Sequence, residues 1–139
     1  MDRIGRHLHF DDRAAVSWHR SLAPALEEAG QAGKCILVQL GHKDCGGSRA
    51  LVERVIPKEE ITEALRAGFV CVCQDSANID PPIAERLATL PRREPTPVCM
   101  FLDSSGRVVH STIGGRPPAV FLRDLTEAES KSRAAARGK

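Results

Sequence analysis

Three apolar runs organise the chain. They are Cys35-Ile36-Leu37-Val38-Gln39-Leu40, Phe69-Val70-Cys71-Val72-Cys73-Gln74 and Val98-Cys99-Met100-Phe101-Leu102. Short and nearly continuous, they read as strands buried on both faces, as in a parallel sheet. The intervening segments carry helical spacing and helical punctuation. One helix is predicted from Ser21 to about Ala32, with Pro24 tolerable in the first turn and Gly33 as its stop. A second runs from Cys45 or Gly46 to about Val55, is interrupted by Pro57, and resumes from Lys58 to Arg66. Pro81 to Leu90 suits a short helix that opens on proline. Val16-Ser17-Trp18 is a short strand candidate, and Ser104-Ser105-Gly106 a turn into a fourth strand from Arg107 to Thr112. Pro117 to about Ser130 is the last helix. The resulting order is βαβαβαββα: parallel strands joined by crossovers, then a late antiparallel hairpin.

These elements fit one domain over residues 16–130, preceded by a loose polar segment, 1–15, and followed by a disordered basic tail, 131–139. A chain of 139 residues can build a real core, since domains near that size bury roughly 70% of their unfolded surface. Twenty basic residues stand against 18 acidic ones. That near balance, with 4% aromatic residues and no Tyr, gives no footing for nucleic acid or an anionic membrane. The N-terminus lacks the apolar stretch of a signal peptide, and no run is long enough to cross a bilayer. The expectation is a cytoplasmic monomer with neither nucleic-acid nor membrane partners.

The five cysteines, 35, 45, 71, 73 and 99, change the picture most. Their odd number forbids complete pairing within one chain, and in a reducing compartment they are expected as free thiols. Cys35, Cys71, Cys73 and Cys99 lie in the apolar runs, where a free Cys is a small hydrophobe. Cys71 and Cys73, two apart on a strand, share a face and are splayed for a disulfide. Cys45 is different. It sits among His42, Lys43, Asp44, Gly46, Gly47 and Ser48, at the predicted start of the second helix.

The element order and the residues within it resemble the thioredoxin superfamily over residues 16–128. Ile36-Leu37-Val38-Gln39-Leu40 is similar to the central strand that feeds the redox site, and Asp44-Cys45-Gly46-Gly47-Ser48-Arg49 to the redox turn. Glu94-Pro95-Thr96-Pro97 is similar to the cis-proline loop, and Gly106 with Ile113-Gly114-Gly115 to the end of the sheet. The resemblance implies an α/β protein of thioredoxin-like fold, with a central mixed four- or five-stranded sheet and helices on both faces. It also implies a cis Thr96–Pro97 bond facing Cys45, and backbone of Thr96 open to an extended peptide. Two residues depart from the family. Ser48 replaces the second cysteine of C-x-x-C, and Gln39 replaces a buried Asp. The departures agree with each other. Without a second thiol to deprotonate, a buried acid would only cost desolvation.

Cys45 can still react. A helix start stabilises the thiolate, which is the attacking species, and the Ser48 hydroxyl can donate to it. Lys43 and Arg49 add positive potential, offset in part by Asp44. The expected catalytic residues are therefore Cys45 and Ser48. Gly46, Gly47, Thr96 and Pro97 are expected to bind substrate, with Gln39 and His42 in support. A Cys-x-x-Ser site forms a mixed disulfide and then waits for an outside thiol. The expected partners are client protein thiols or disulfides, or glutathione, and the reaction is monothiol disulfide exchange or isomerisation rather than dithiol reduction. The alternative is a non-enzymatic module that docks a peptide, with Cys45 incidental. His42 can serve as a base toward Cys45, although a solvated loop histidine is the preferred reading. Two ligands fall short of the four usual for zinc, so no metal is expected. Cys-Gly-Gly-Ser is also similar to the Cys-Gly-Phe-Ser of cluster-sharing monothiol glutaredoxins, but over four residues only, and no cofactor is expected.

Overall fold

A computed structural model of the chain describes residues 5–137. The strands are β1 (Trp18–His19), β2 (Cys35–Gly41), β3 (Phe69–Asp75), β4 (Val98–Leu102) and β5 (Val108–Ile113). The helices are α1 (Leu22–Ala32), α2 (Gly46–Ala50), α3 (Glu59–Gly68), α4 (Pro81–Leu87) and α5 (Pro118–Arg137). α2 runs on directly into a π-helical stretch, Leu51–Val55, closed by Ile56 N–H to Leu51 C=O at 2.9 Å. The wide turn comes just before Pro57, which has no N–H with which to continue a helix.

The five strands form one mixed sheet in the order β1-β3-β2-β4-β5. β2 is parallel to β3 and antiparallel to β4, and β4–β5 is the late hairpin. All seven residues of β2 are buried, because both of its faces are covered. Leu37, Cys71, Cys73, Cys99 and Phe101 pack one way, against Leu51, Ile56, Ile61, Leu65, Phe121 and Leu125. Ile36, Val38, Leu40, Val72 and Met100 pack the other way, against Leu22, Ala25, Ala29 and Ile83. The period of two along each strand thus splits the apolar runs between two cores. α1 ends where Gly33 N–H bonds Ala29 C=O at 2.8 Å, and α4 begins where Asp80 Oδ1 accepts Ile83 N–H at 3.1 Å.

The ends of the chain correct the expectations. Residues 5–15 are not loose. Gly5 and Trp18 exchange backbone hydrogen bonds of 3.0 and 2.7 Å, and His7, Phe10, Asp12 and Ala15 are buried. Asp12 Oδ2 accepts the indole N–H of Trp18 at 2.9 Å, so the only tryptophan is held by this segment. Its buried polar residues misled because His7 bonds Gln39 of the sheet and Asp12 bonds Trp18 rather than water. Residues 1–4, also expected loose, lie outside the described residues. At the other end, α5 continues to Arg137 instead of ending near Ser130. Alanine is the strongest helix former, and Lys131 pairs with Glu127 at 3.2 Å one turn earlier. The tail expected as disordered is, to residue 137, helix; 138 and 139 lie outside the described residues.

Candidate functional site

β2 ends at Gly41, and the chain turns through His42–Asp44 into α2 with Cys45 as its N-cap. Cys45 N–H bonds His42 C=O at 3.1 Å, and His42 Nδ1 accepts Asp44 N–H at 3.3 Å. His42 therefore shapes the turn. Cys45 is half-buried, and its Sγ collects three groups. Ser48 N–H lies at 3.4 Å, the Thr96 hydroxyl donates at 3.0 Å, and Thr96 C=O accepts the S–H at 3.5 Å.

Thr96 comes from the loop before β4, where the Glu94–Pro95 and Thr96–Pro97 bonds are both cis. The loop is anchored from β5's end, because Gly114 N–H is shared by Pro95 C=O at 3.0 Å and Pro97 C=O at 2.9 Å. Gly47 admits it. A Cβ there would lie 3.1 Å from Pro97 Cδ and 3.4 Å from Thr96 C=O, whereas a Cβ on exposed Gly46 would meet nothing within 4 Å. Of the two glycines, only Gly47 is required by packing.

The electrostatics separate Cys45 from the other thiols. Partial burial pushes Cys45 up, but on ionisation the side chains of Ser48 and Thr96 and the N–H groups of Ser48 and Gly47 favour the thiolate and outweigh it, so the thiol lies below its ordinary value. Burial raises Cys35 and Cys71 and pushes Cys99 up to about 12. Arg49, expected to add positive potential at Cys45, lies over the Phe10 ring at 5.4 Å.

Beneath the turn sits Gln39, 1% exposed, between Cys73 and Cys99 on the adjacent strands. Its Oε1 accepts from His7 Nε2 at 2.6 Å. The His7 ring packs edge-on to Trp18 at 4.8 Å and against Phe10 at 5.8 Å. Burial lowers the His7 pKa to about 4, so the ring is neutral at physiological pH. His7 and the Thr96 hydroxyl are the two site groups the sequence reading missed. His7 carried no signal, since it lies 32 residues from Gln39 in an apparently featureless segment. Thr96 was singled out for its backbone, and its hydroxyl could have been noticed as a donor beside the expected cis bond. Among the described residues, no three His, Cys, Asp or Glu side chains gather as a metal site.

The model of a family described as thioredoxin-like matches residues 17–104, which include β1 through β4 and the whole redox turn. The chain belongs to the thioredoxin-like family. No curated protein matches this thioredoxin-like chain by sequence. Among solved structures it is similar to a thioredoxin from Thermus thermophilus, at 21% identity and TM-score 0.69, covering 93% of this chain and 92% of that one. It is also similar to DsbH oxidoreductase, at 20% identity and TM-score 0.58, covering 84% and 83%. A disulphide isomerase from Xylella fastidiosa Temecula1 matches at 22% identity and TM-score 0.56, covering 82% and 88%. At these identities the likeness is one of fold. No helix among the described residues of this thioredoxin-like protein is long and apolar enough to cross a membrane.

Proposed function

We propose that this thioredoxin-like protein carries out thiol–disulfide exchange through one thiol, Cys45. The observation that supports this most is the contrast among thiols. Cys45 is the half-exposed one, its sulfur ringed by hydrogen-bond donors, while Cys35, Cys71 and Cys99 are buried with raised pKa values. The Cys45 thiolate attacks a disulfide R–S–S–R′. A Cys45–S–S–R bond forms, the old S–S bond breaks, and R′–S⁻ leaves. Ser48 holds no thiol to resolve this mixed disulfide, so an external thiolate such as glutathione attacks it, releasing Cys45–S⁻ and the new disulfide. Thr96 and Pro97 flank the sulfur and Gly47 opens the approach, where an extended client segment would lie. None of the five cysteines is in a disulfide, which suits a reducing compartment such as the cytoplasm.

The test is competitive alkylation with iodoacetamide at neutral pH, read by peptide mass spectrometry, and, on separate unalkylated protein, incubation with oxidised glutathione. Cys45 is expected to label first and to carry one glutathione per chain, and Cys45→Ser to carry none. Equal labelling of all five thiols, or glutathione retained on Cys45→Ser, would overturn the reading.

A further inference from the structure

Two buried polar atoms next to the redox turn lack hydrogen-bond partners: Gln39 Nε2 and Ser48 Oγ. They are neighbours across Gly41. A Cβ at Gly41 would collide with Ser48 Oγ and lie 3.1 Å from Gln39 Nε2, so both atoms abut the same bare face of that glycine. Ser48 is fully buried and Gln39 nearly so. An unmet polar group at such depth bears its full desolvation cost, so the pair is not a neutral feature of the core.

The orientation of the Gln39 amide is fixed from the far side. His7 Nδ1 accepts two backbone N–H groups, from His9 at 3.1 Å and Phe10 at 3.2 Å. A ring nitrogen that accepts carries no proton, so the proton of the neutral ring is on Nε2. That N–H donates to Gln39 Oε1 at 2.6 Å. The amide oxygen is thereby committed to His7, and the NH2 is turned toward Gly41 and Ser48. Its neighbours in register, Cys73 and Cys99, offer only sulfur, a weak acceptor. Phe10 and Trp18 clamp the ring, and His9, Asp12 and Arg20 are the charged or titratable groups around it.

We infer that His7 is a positioning residue for the Cys45 thiolate, acting through Gln39 and Ser48. The donors line up with one polarity: His7 Nε2–H to Gln39 Oε1, Gln39 Nε2–H to Ser48 Oγ, and Ser48 O–H to the sulfur. While Cys45 is a thiol, its S–H donates to Thr96 C=O and the last two links stay open. Once the proton leaves, the sulfur is purely an acceptor, and small rotations of the Ser48 hydroxyl and the Gln39 amide close both links. The chain therefore favours thiolate over thiol. It replaces the charge of a buried acid with a fixed series of neutral dipoles, drawn from a segment outside the sheet.

This inference rests on Cys45 being the reactive thiol, and the experiment separates the two. The pH dependence of Cys45 alkylation is measured for the full chain, with thermal unfolding beside it, in His7→Phe, Gln39→Leu, the double variant and His7→Gln. Phe keeps the ring packing without the nitrogens, and Gln offers an N–H at the place of Nε2. His7→Phe and Gln39→Leu are each expected to raise the Cys45 pKa by about one, slowing alkylation at pH 6.5 up to roughly tenfold. The double variant should do no more than Gln39→Leu, and His7→Gln should recover most of the loss. A folded His7→Phe with an unchanged Cys45 pKa, or additive effects in the double variant, overturns the inference while leaving Cys45 as the reactive thiol. An ordinary thiol pKa in the unaltered protein overturns both. If His7→Phe does not fold, the Gln39→Leu and Ser48→Ala pair decides. Gln39→Leu should lose its effect in the Ser48→Ala background, and persistence of that effect overturns the chain.

Discussion

At the scale of single residues, the proposed chemistry rests on what Cys45 and Ser48 each can and cannot do. Cys45 has the donors a thiolate needs, and Ser48 has an oxygen where a resolving sulfur would stand. Ser48→Cys should therefore convert the site. The new thiol would lie one turn from Cys45, and its N–H already reaches the Cys45 sulfur at 3.4 Å. Mild oxidation should give an internal 45–48 disulfide, seen as a two-dalton mass loss and a lost glutathione adduct. A persistent glutathione adduct with no internal bond would mean that the turn cannot bring the two sulfurs together.

At the scale of elements, the site is an encounter between the start of α2 and the loop before β4, and the space between them is set by Gly47. An added methyl there meets the Pro97 ring at 3.1 Å and Thr96 C=O at 3.4 Å, both on a loop whose backbone is anchored by Gly114 and has little room to yield. Gly47→Ala should push the loop away from Cys45, lengthen the Thr96 hydroxyl bond and slow Cys45 alkylation several-fold, at a stability cost of about 1–3 kcal/mol. Gly46→Ala enters open space and should change stability by no more than about 0.5 kcal/mol. Alkylation rates and denaturant midpoints for the two variants check this. Equal effects would show that the glycines serve the helix start rather than the approach of the loop.

At the scale of the whole molecule, two buried polar centres tie the chain ends to the sheet, and acid should release them in turn. His7 has a folded pKa of about 4 against an ordinary value of 6.5. Between those values the unfolded chain binds the extra proton, so stability falls as pH drops from about 6.5 to about 4. Asp124 at the α5 end is different. Burial opposes its charge, but His110 Nε2 at 3.1 Å and the Arg116 fork at 3.0 and 3.1 Å hold its pKa below the ordinary value. Its contribution is present above the unfolded pKa near 4 and is lost as pH falls below it. Urea unfolding across pH should show both windows. His7→Phe should flatten the upper one, and Asp124→Asn the lower one while costing about 2 kcal/mol at neutral pH. A profile that is flat between pH 6.5 and 4 in the unaltered protein would mean that His7 is not held neutral in the fold.

The sequence by itself determined the three central strands, the helices between them and the position of Cys45 at a helix start. Those depend on local patterns: apolar runs, a glycine stop, a proline opening and a polar turn after a buried strand. It also determined the absence of a resolving cysteine at 48 and of an acid at 39, which are matters of residue identity. Tertiary structure alone decided what surrounds those residues. That residues 5–15 pack beneath the redox turn depends on His7 meeting Gln39 and Arg49 covering Phe10, contacts between residues far apart in the chain. A polar segment looks loose in sequence because polarity alone does not say whether water or protein will satisfy it. The donors around Cys45 follow the same rule, since Thr96 reaches the sulfur across 51 residues. Only closure of the sheet and its loop brings the two together.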